Sequence, residues 1–446
     1  MRFNYSFPQW LQRNTADGTA PPTAFIMLAS FVVGITAGAC AQLLKWMVAQ
    51  ISHFALTGLD PTRWNWRFLW LPVIGVILAA CYQRYVIHRE ISHGVDRLKA
   101  SLARRHPYMP LGLTISPLIA AALTLGLGGS AGTEGPIAYA SGAIGSNLAK
   151  RCRFSRAMVM TFTAIGAGAG IAAMFRAPVG GFFFTLEVIG LAMSVTQLVA
   201  LGVCCLTAGL TAWMLAGGVS DIPFPAWHPF DLSTIPMIVF VGAACGLYAV
   251  YYNRVMAALT ARYARFANSW LKNITAGTVI GLSLFLLPAL YGEGYGVITH
   301  VLAGELSALS ACGPLAHITA SPWGPVGVCV LILLVKAMAT ASTTSGGGVA
   351  GDFAPAIFAG CAAGLLFASV VNLLFGLSLP VSDYACYGMA AVLGGTSRAP
   401  LMAIFLVVEM SGHYSLLMPV ACAAATSYLI VTLLKKSAPH PSQSAK

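Results

Sequence analysis

The sequence predicts an all-α integral membrane protein made of two related halves. The 446-residue chain is 58% hydrophobic and only 9% charged, its apolar runs recur along its whole length, and two motifs each occur twice in the same order. Soluble domains carry about 25% charged residues. A surface so poor in charge needs lipid as its solvent, and a helix is the element that satisfies its own backbone there.

Apolar runs of two kinds alternate along the chain. A membrane span needs about 20 residues, and the long runs cover 24–50, 68–87, 111–128, 193–217, 235–252, 273–290, 324–340 and 417–434. Shorter runs, broken by Gly and Pro, cover 137–149, 157–173, 178–192, 354–376, 384–394 and 400–411. We expect the shorter runs to include half-helices and re-entrant pieces, whose ends must be covered by protein or water.

An internal repeat relates the two halves. The sequence FRAPV at 175–179 opens a segment ending at Glu187, and SRAPL at 397–401 opens one ending at Glu409. The two glutamates are 222 positions apart, and so are the prolines of the two motifs. Segments interrupted by Gly and Pro at corresponding places in two halves are typical of a transporter site.

The repeat suggests a division of the chain. A polar N-terminal tail covers 1–22, the first membrane repeat 23–218, a linker 219–234, the second repeat 235–435 and a polar C-terminal tail 436–446. The net charge is +12, and the basic residues lie in the loops. The positive-inside rule explains such loops without a nucleic-acid partner, although a basic field could also concentrate anions. The scattered cysteines indicate neither a disulfide framework nor a metal site.

A second motif pair carries the chemistry. The sequence GGSAGTEGP at 128–136 is matched by SGGGVAGDFAP at 345–355. Glycine lets backbone approach a ligand, and Pro suits a first helical turn. The free N–H groups and positive dipole end of each helix would then face an anion. Glu134 would be a tethered anion that competes with the transported one, which makes it the predicted gate. The alternative is that Glu134 only complements the helix dipole.

These motifs resemble those of the CLC family of voltage-gated chloride channels and chloride/proton antiporters, over about residues 24–434. GTEGP at 132–136 resembles the family's gating-glutamate motif, in which a basic residue usually stands where this chain has Thr133. GDFAP at 351–355 resembles the motif whose backbone amides contact the anion, which implies that Asp352 and Phe353 line the site with Gly135. The resemblance also implies two inverted repeats and a homodimer with one pore per subunit.

The family's third motif is degraded in this chain. The matching stretch is SHGVD at 92–96, and His93 rather than Ser92 stands where the family has its anion-coordinating serine. Either side chain could contact the anion, and a protonated His93 would make transport depend on pH. The alternative is that His93 packs against backbone while the amides of Gly94 and Val95 hold the anion.

Two other family features are missing. Antiporters of the family carry a second glutamate that relays protons, and Val188 stands at that position. Glu187 is a possible substitute, although its repeat partner Glu409 favours a structural role at a helix end. The family's coordinating tyrosine has no counterpart in the C-terminal tail. Arg176 and Arg398, which precede Ala-Pro at matched positions, are interpreted as helix-end anchors.

The predicted function is gated, channel-type transport of chloride, with passive conduction favoured because Val188 cannot carry a proton. The alternatives are a chloride/proton antiporter or a transporter of another small anion such as fluoride. An intramembrane hydrolase using Asp352 is a third class, but Val349 and the lack of a Tyr-Asp partner motif argue against it. We expect no enzyme activity, no metal and no cofactor other than chloride as substrate. The expected location is a bacterial inner membrane, with both termini cytoplasmic.

Overall fold

The structure, a computed structural model, describes residues 22–58, 65–89, 91, 94–103, 108–218, 222, 228, 230–305, 321 and 323–436. In the first half, the helices are α1 (Thr23–Leu56), α2 (Arg67–Cys81, continued by a π-helical turn at Tyr82–Ile87), α3 (Gly94–Ala103), α4 (Ser116–Gly126), α5 (Glu134–Arg151), α6 (Arg156–Phe175), α7 (Pro178–Phe183, continued by a π-helical turn at Phe184–Ile189) and α8 (Val195–Leu215).

The second half repeats this order. Its helices are α9 (Ile235–Tyr263), α10 (Ser269–Leu286), α11 (Tyr295–Leu302), α12 (Gly324–Ser345), α13 (Phe353–Phe375), α14 (Val381–Ser397), α15 (Pro400–Ser411) and α16 (Leu417–Lys436). Equivalent helices also make equivalent contacts: α5 packs on α6 as α13 packs on α14, and α1 packs on α8 as α9 packs on α16. The predicted all-α fold of two inverted repeats is confirmed.

Among the described residues, eight helical segments are long and apolar enough to cross a membrane: Thr23–Leu56, Arg67–Ile87, Arg156–Phe175, Val195–Leu215, Leu232–Tyr263, Gly324–Ser345, Phe353–Phe375 and Tyr414–Lys435. Two of them correct the sequence interpretation, because the runs at 157–173 and 354–376 were grouped with the short segments. Their helices have 20 and 23 residues. The pieces Pro178–Ile189 and Pro400–Ser411 are short, as expected.

Small residues bring the helices of each half close together. A Cβ atom at Gly145 of α5 would overlap the carbonyl oxygen of Phe162 on α6, and one at Gly364 of α13 would overlap that of Tyr384 on α14. Without a hydrophobic force between helices in lipid, this close packing is a main source of helix association. The site described below is therefore held by two tightly packed helix pairs, α5–α6 and α13–α14.

Each half breaks its chain in the same way before the short helix. Arg176 ends α6 and Arg398 ends α14, both in the left-handed conformation, with φ of 51° and 56°. Pro178 and Pro400 then open α7 and α15, where a proline costs no hydrogen bond. Both arginines lie at helix ends, where the sequence analysis put its anchors.

Candidate functional site

The two glycine-rich loops meet at the centre of the molecule. Gly132, two residues before Glu134, and Gly351, two residues before Phe353, form an antiparallel β-bridge. The amide of Gly132 donates to the carbonyl of Gly351 at 2.9 Å, and the reverse bond measures 2.7 Å. Because α5 and α13 start two residues after these glycines, the bridge brings two helix N-termini to one place.

The Glu134 side chain spans the junction. Its Oε1 accepts hydrogen bonds from the backbone amides of Phe353 and Ala354, the latter at 3.2 Å. These are two of the amides that have no partner inside α13. Glu134 is 1% exposed, and its Oε2 makes no hydrogen bond within the described residues. A carboxylate of the first repeat therefore occupies an anion position at the N-terminus of a helix of the second repeat.

Glycine makes this arrangement sterically possible. A Cβ at position 132 would overlap the Glu134 carboxylate, and one at position 351 would lie 2.6 Å from Oε1. The two bridging glycines thus provide the space in which the carboxylate folds back.

Polar side chains surround the loop that carries Glu134. Thr133 donates through its amide and its hydroxyl to a carboxylate oxygen of Glu293, at 2.8 and 2.6 Å. Ser130 donates its hydroxyl to the carbonyl of Leu290 at 2.7 Å and accepts from Nζ of Lys336 at 3.0 Å. The loop is thus held between an acid and a base that both belong to the second half.

Lys336 lies fully buried on α12. Its Nζ lies 4.8 Å from the ring centroid of Phe358, a residue of α13. A charge at this depth is costly and usually functional. The sequence motifs do not identify Lys336, although a lone lysine inside the apolar run 324–340 is a sufficient signal. Glu293 carries no signal in the sequence, because only the fold brings it to Thr133.

A cavity of about 150 Å³ opens against the junction. Its lining combines both glycine-rich loops with α3, the end of α7 and the ends of α12 and α14. The lining residues are Val95, Lys99, Gly135, Val188, Thr344, Ala350, Gly351, Asp352, Phe353 and Ser397. An anion entering here would reach the amides at the start of α13.

The predicted anion-binding residues fall into two groups. Val95, Gly135, Asp352 and Phe353 line this cavity, and Gly94 is the first residue of α3. Ser92 and His93 lie outside the described residues. Their direct contact with an anion stays a prediction.

Glu187 has a different neighbourhood from Val188. Its carboxylate accepts from the amides of Leu401 and Met402 at the start of α15, at 3.2 and 2.8 Å. The π-helical turn turns Val188 toward the cavity and Glu187 toward α15. This geometry supports the structural alternative, and the proton relay at Glu187 stays a prediction.

The fold and this junction define a class: a polytopic helical membrane protein whose inverted repeats aim helix N-termini at one shared site. The chain belongs to the voltage gated chloride channel (CLC) family, whose profile matches residues 74–432.

Similar proteins cover most of the chain. The putative chloride channel protein ClcB-like of Ralstonia nicotianae is 26% identical, over 87% of this chain and 88% of that protein. The H(+)/Cl(−) exchange transporter ClcA of Vibrio cholerae is 23% identical, over 92% of this chain and 86% of that protein. The crystal structure of a slow cyanobacterial Cl−/H+ antiporter is similar with a TM-score of 0.75 and 23% identity, over 93% of this chain and 96% of that one. That likeness shows the fold.

Proposed function

We propose that this chain transports chloride across a membrane through a gated pathway, in exchange for protons. The observation that carries the proposal is the Glu134 carboxylate on the amides of Phe353 and Ala354. Helix N-termini bind anions through free N–H groups and the helix dipole. A carboxylate bound there blocks a free anion from the same position.

Protonation would release the block. A charged acceptor makes roughly twice as strong a hydrogen bond as a neutral one. A neutral Glu134 side chain therefore holds the amides of α13 less tightly, and chloride can take its place. Glu134 is either protonated and displaced from the amides or charged and bound to them. The protonation of this one residue therefore decides whether chloride can occupy the site, which couples proton movement to chloride movement.

Two transport mechanisms could use this gate: passive conduction of chloride and exchange of chloride for protons. Passive conduction was favoured in the sequence analysis because Val188 lacks a titratable group, and the name of the Ralstonia nicotianae relative agrees with it. Exchange has the better support, since the Vibrio cholerae relative, which covers 92% of the chain, is named as an H(+)/Cl(−) exchange transporter. The channel interpretation has not been confirmed, and we propose exchange.

The proposal also includes gating by voltage, a dimeric assembly and an orientation in the membrane. We propose a homodimer in a bacterial inner membrane with both termini cytoplasmic, as expected from the resemblance and the basic loops. The lipid-facing surface includes large exposed apolar side chains such as Phe54, Trp46 and Leu429.

The test is reconstitution into liposomes with simultaneous recording of chloride efflux and internal pH. Exchange predicts that an outward chloride gradient drives protons inward against a proton gradient. Chloride efflux without uphill proton movement would support passive conduction instead. A panel that includes fluoride and small organic anions tests the substrate, and a preference for fluoride over chloride would replace the chloride proposal.

A further inference from the structure

We propose that Asp352 is a second proton-carrying residue, which receives protons from the cavity beside Val188 and passes them to Glu134. The inference rests on the proposed exchange and names the residue that would supply protons on this side. It concerns a residue to which the family resemblance gives only a backbone role.

The position of Asp352 is set by the gate contact itself. Asp352 directly precedes Phe353, whose amide binds Glu134 Oε1. Glu134 is 1% exposed, whereas Asp352 is exposed and lines the cavity. A proton that approaches Glu134 through this cavity therefore passes Asp352 first.

Val188 and Asp352 line the same cavity. The described lining residues contain one other ionisable group, Lys99 of α3, which is a cation and would repel an incoming proton. A proton crossing a low-dielectric region needs titratable stations, because a bare charge is costly there. Asp352 supplies such a station at the place where Val188 supplies none.

A capping role would be the ordinary explanation for an aspartate at the start of a helix. Asp352 is the N-cap residue of α13, but its side chain makes no capping hydrogen bond. The amides that it could have capped include those of Phe353 and Ala354, which bind Glu134 instead. Helix capping therefore does not account for the Asp352 carboxylate.

Charged and titratable groups from three neighbouring helices act on Asp352. Lys99 of α3 lines the same cavity, and Glu134 of α5 and Tyr252 of α9 interact electrostatically with it. Two nearby carboxylates repel each other when both are charged, which favours one shared proton.

The transfer balances without any other reactant. The Asp352 carboxylate takes a proton from hydronium in the cavity and leaves water. It then gives that proton to the Glu134 carboxylate and returns to its charged form, so that no electrons are exchanged. A neutral Asp352 also stops repelling chloride at the cavity, which links proton entry to anion entry.

The experiment compares variants in liposomes by chloride flux, proton flux and calorimetric chloride binding. Asp352→Asn keeps the size of the side chain, and we expect uphill proton movement to fall at least about tenfold, as for loss of a proton-transfer group. Coupling is measured as the ratio of protons to chloride moved, so a change in chloride flux alone does not count as its loss, and chloride affinity should be equal or higher. Asp352→Glu should keep the coupling, and Val188→Glu added to Asp352→Asn should restore it, because both positions line the cavity.

Asp231→Asn is the matched control. Hydrogen bonds from Ser233 lower the pKa of the exposed Asp231 carboxyl, so it stays charged near neutral pH, and its loss should not change coupling. Asp352→Ser is measured as well, because serine also begins helices readily. Unchanged coupling in folded Asp352→Asn or in folded Asp352→Ser would overturn the inference while leaving exchange intact. A wild type that moves chloride but no protons would overturn exchange and this inference together.

Discussion

Glu187 and Glu409 cap each other's helices. Glu187, at the end of α7, accepts the amides of Leu401 and Met402 at the start of α15. Glu409, near the end of α15, accepts the amides of Val179 and Gly180 at the start of α7, at 3.1 and 2.8 Å. The two short helices therefore run antiparallel, and each satisfies the orphan amides of the other.

This symmetry predicts a structural effect for both glutamates. Glu187→Gln and Glu409→Gln should each lower stability by about 1–2 kcal/mol, since a charge-assisted bond pair becomes a single neutral bond. Thermal unfolding in detergent should show similar decreases in Tm for the two variants. Proton coupling in liposomes should remain. If Glu187→Gln loses proton coupling while Glu409→Gln keeps it, Glu187 is a proton relay.

The contact between Glu134 and α13 predicts the behaviour of the gate. In the wild type, chloride flux should rise as the pH falls, because protonation weakens the hydrogen bonds to Phe353 and Ala354. Glu134→Gln and Glu134→Ala remove the charge at every pH, so their flux should be insensitive to pH. The measurement is chloride efflux from liposomes over a range of pH. A wild-type pH profile in both variants would mean that Glu134 is not the gate.

Much of this site follows from sequence offsets. The motif pair separated by 219 positions meets as the Gly132–Gly351 bridge, and the pair separated by 222 positions ends α6 and α14 at Arg176 and Arg398. Equal offsets reveal equivalent places in two repeats, but not which amides a side chain reaches in the other half. The contacts of Glu134 with Phe353 and of Glu187 with Met402 depend on how the halves dock.

Helix lengths were harder to predict for a related reason. The segment at 157–173 contains three glycines, which lower helix propensity, and its apolar run is shorter than a typical span. In lipid these small residues allow close packing, and α6 is almost entirely buried within the protein. Hydropathy also conceals Lys336, because one charge hardly changes the mean hydropathy of a 22-residue helix.

Lys336 predicts a contribution to anion binding. Its Nζ donates to Ser130 of the gate loop and lies buried beside Phe358 of α13. Lys336→Met should weaken chloride binding roughly tenfold, which corresponds to about 1.4 kcal/mol. Lys336→Arg should retain most of the affinity, because it keeps the charge. Calorimetry on purified protein measures both, with the exposed Lys435→Met as a control for loss of charge alone.

A variant at Glu293 distinguishes two explanations of the weaker chloride binding expected for Lys336→Met. Glu293 binds Thr133 and interacts electrostatically with Lys336, so Lys336 could act only by neutralising Glu293. In that case, Lys336→Met combined with Glu293→Gln would bind chloride like the wild type. If Lys336 acts on the anion, the double variant should remain weaker than Glu293→Gln alone. Full recovery in the double variant would contradict the prediction for Lys336.

A substitution at Gly132 should displace the Glu134 carboxylate from the amides of α13 while Glu134 itself stays in the sequence. A Cβ at this position would overlap the Glu134 carboxylate, and φ at Gly132 is not in the left-handed region, so alanine is allowed by the backbone. Gly132→Ala should therefore displace Glu134 from the amides of α13 and give chloride flux that is high and nearly independent of pH. Gly202→Ala is the matched control, because a Cβ there meets no atom within 4 Å.

The decisive comparison adds Glu134→Ala to Gly132→Ala. If the carboxylate is already displaced in Gly132→Ala, chloride flux should not rise further in the double variant. A clear further rise would show that Glu134 still blocks the pathway in Gly132→Ala and that this glycine does not provide its resting space.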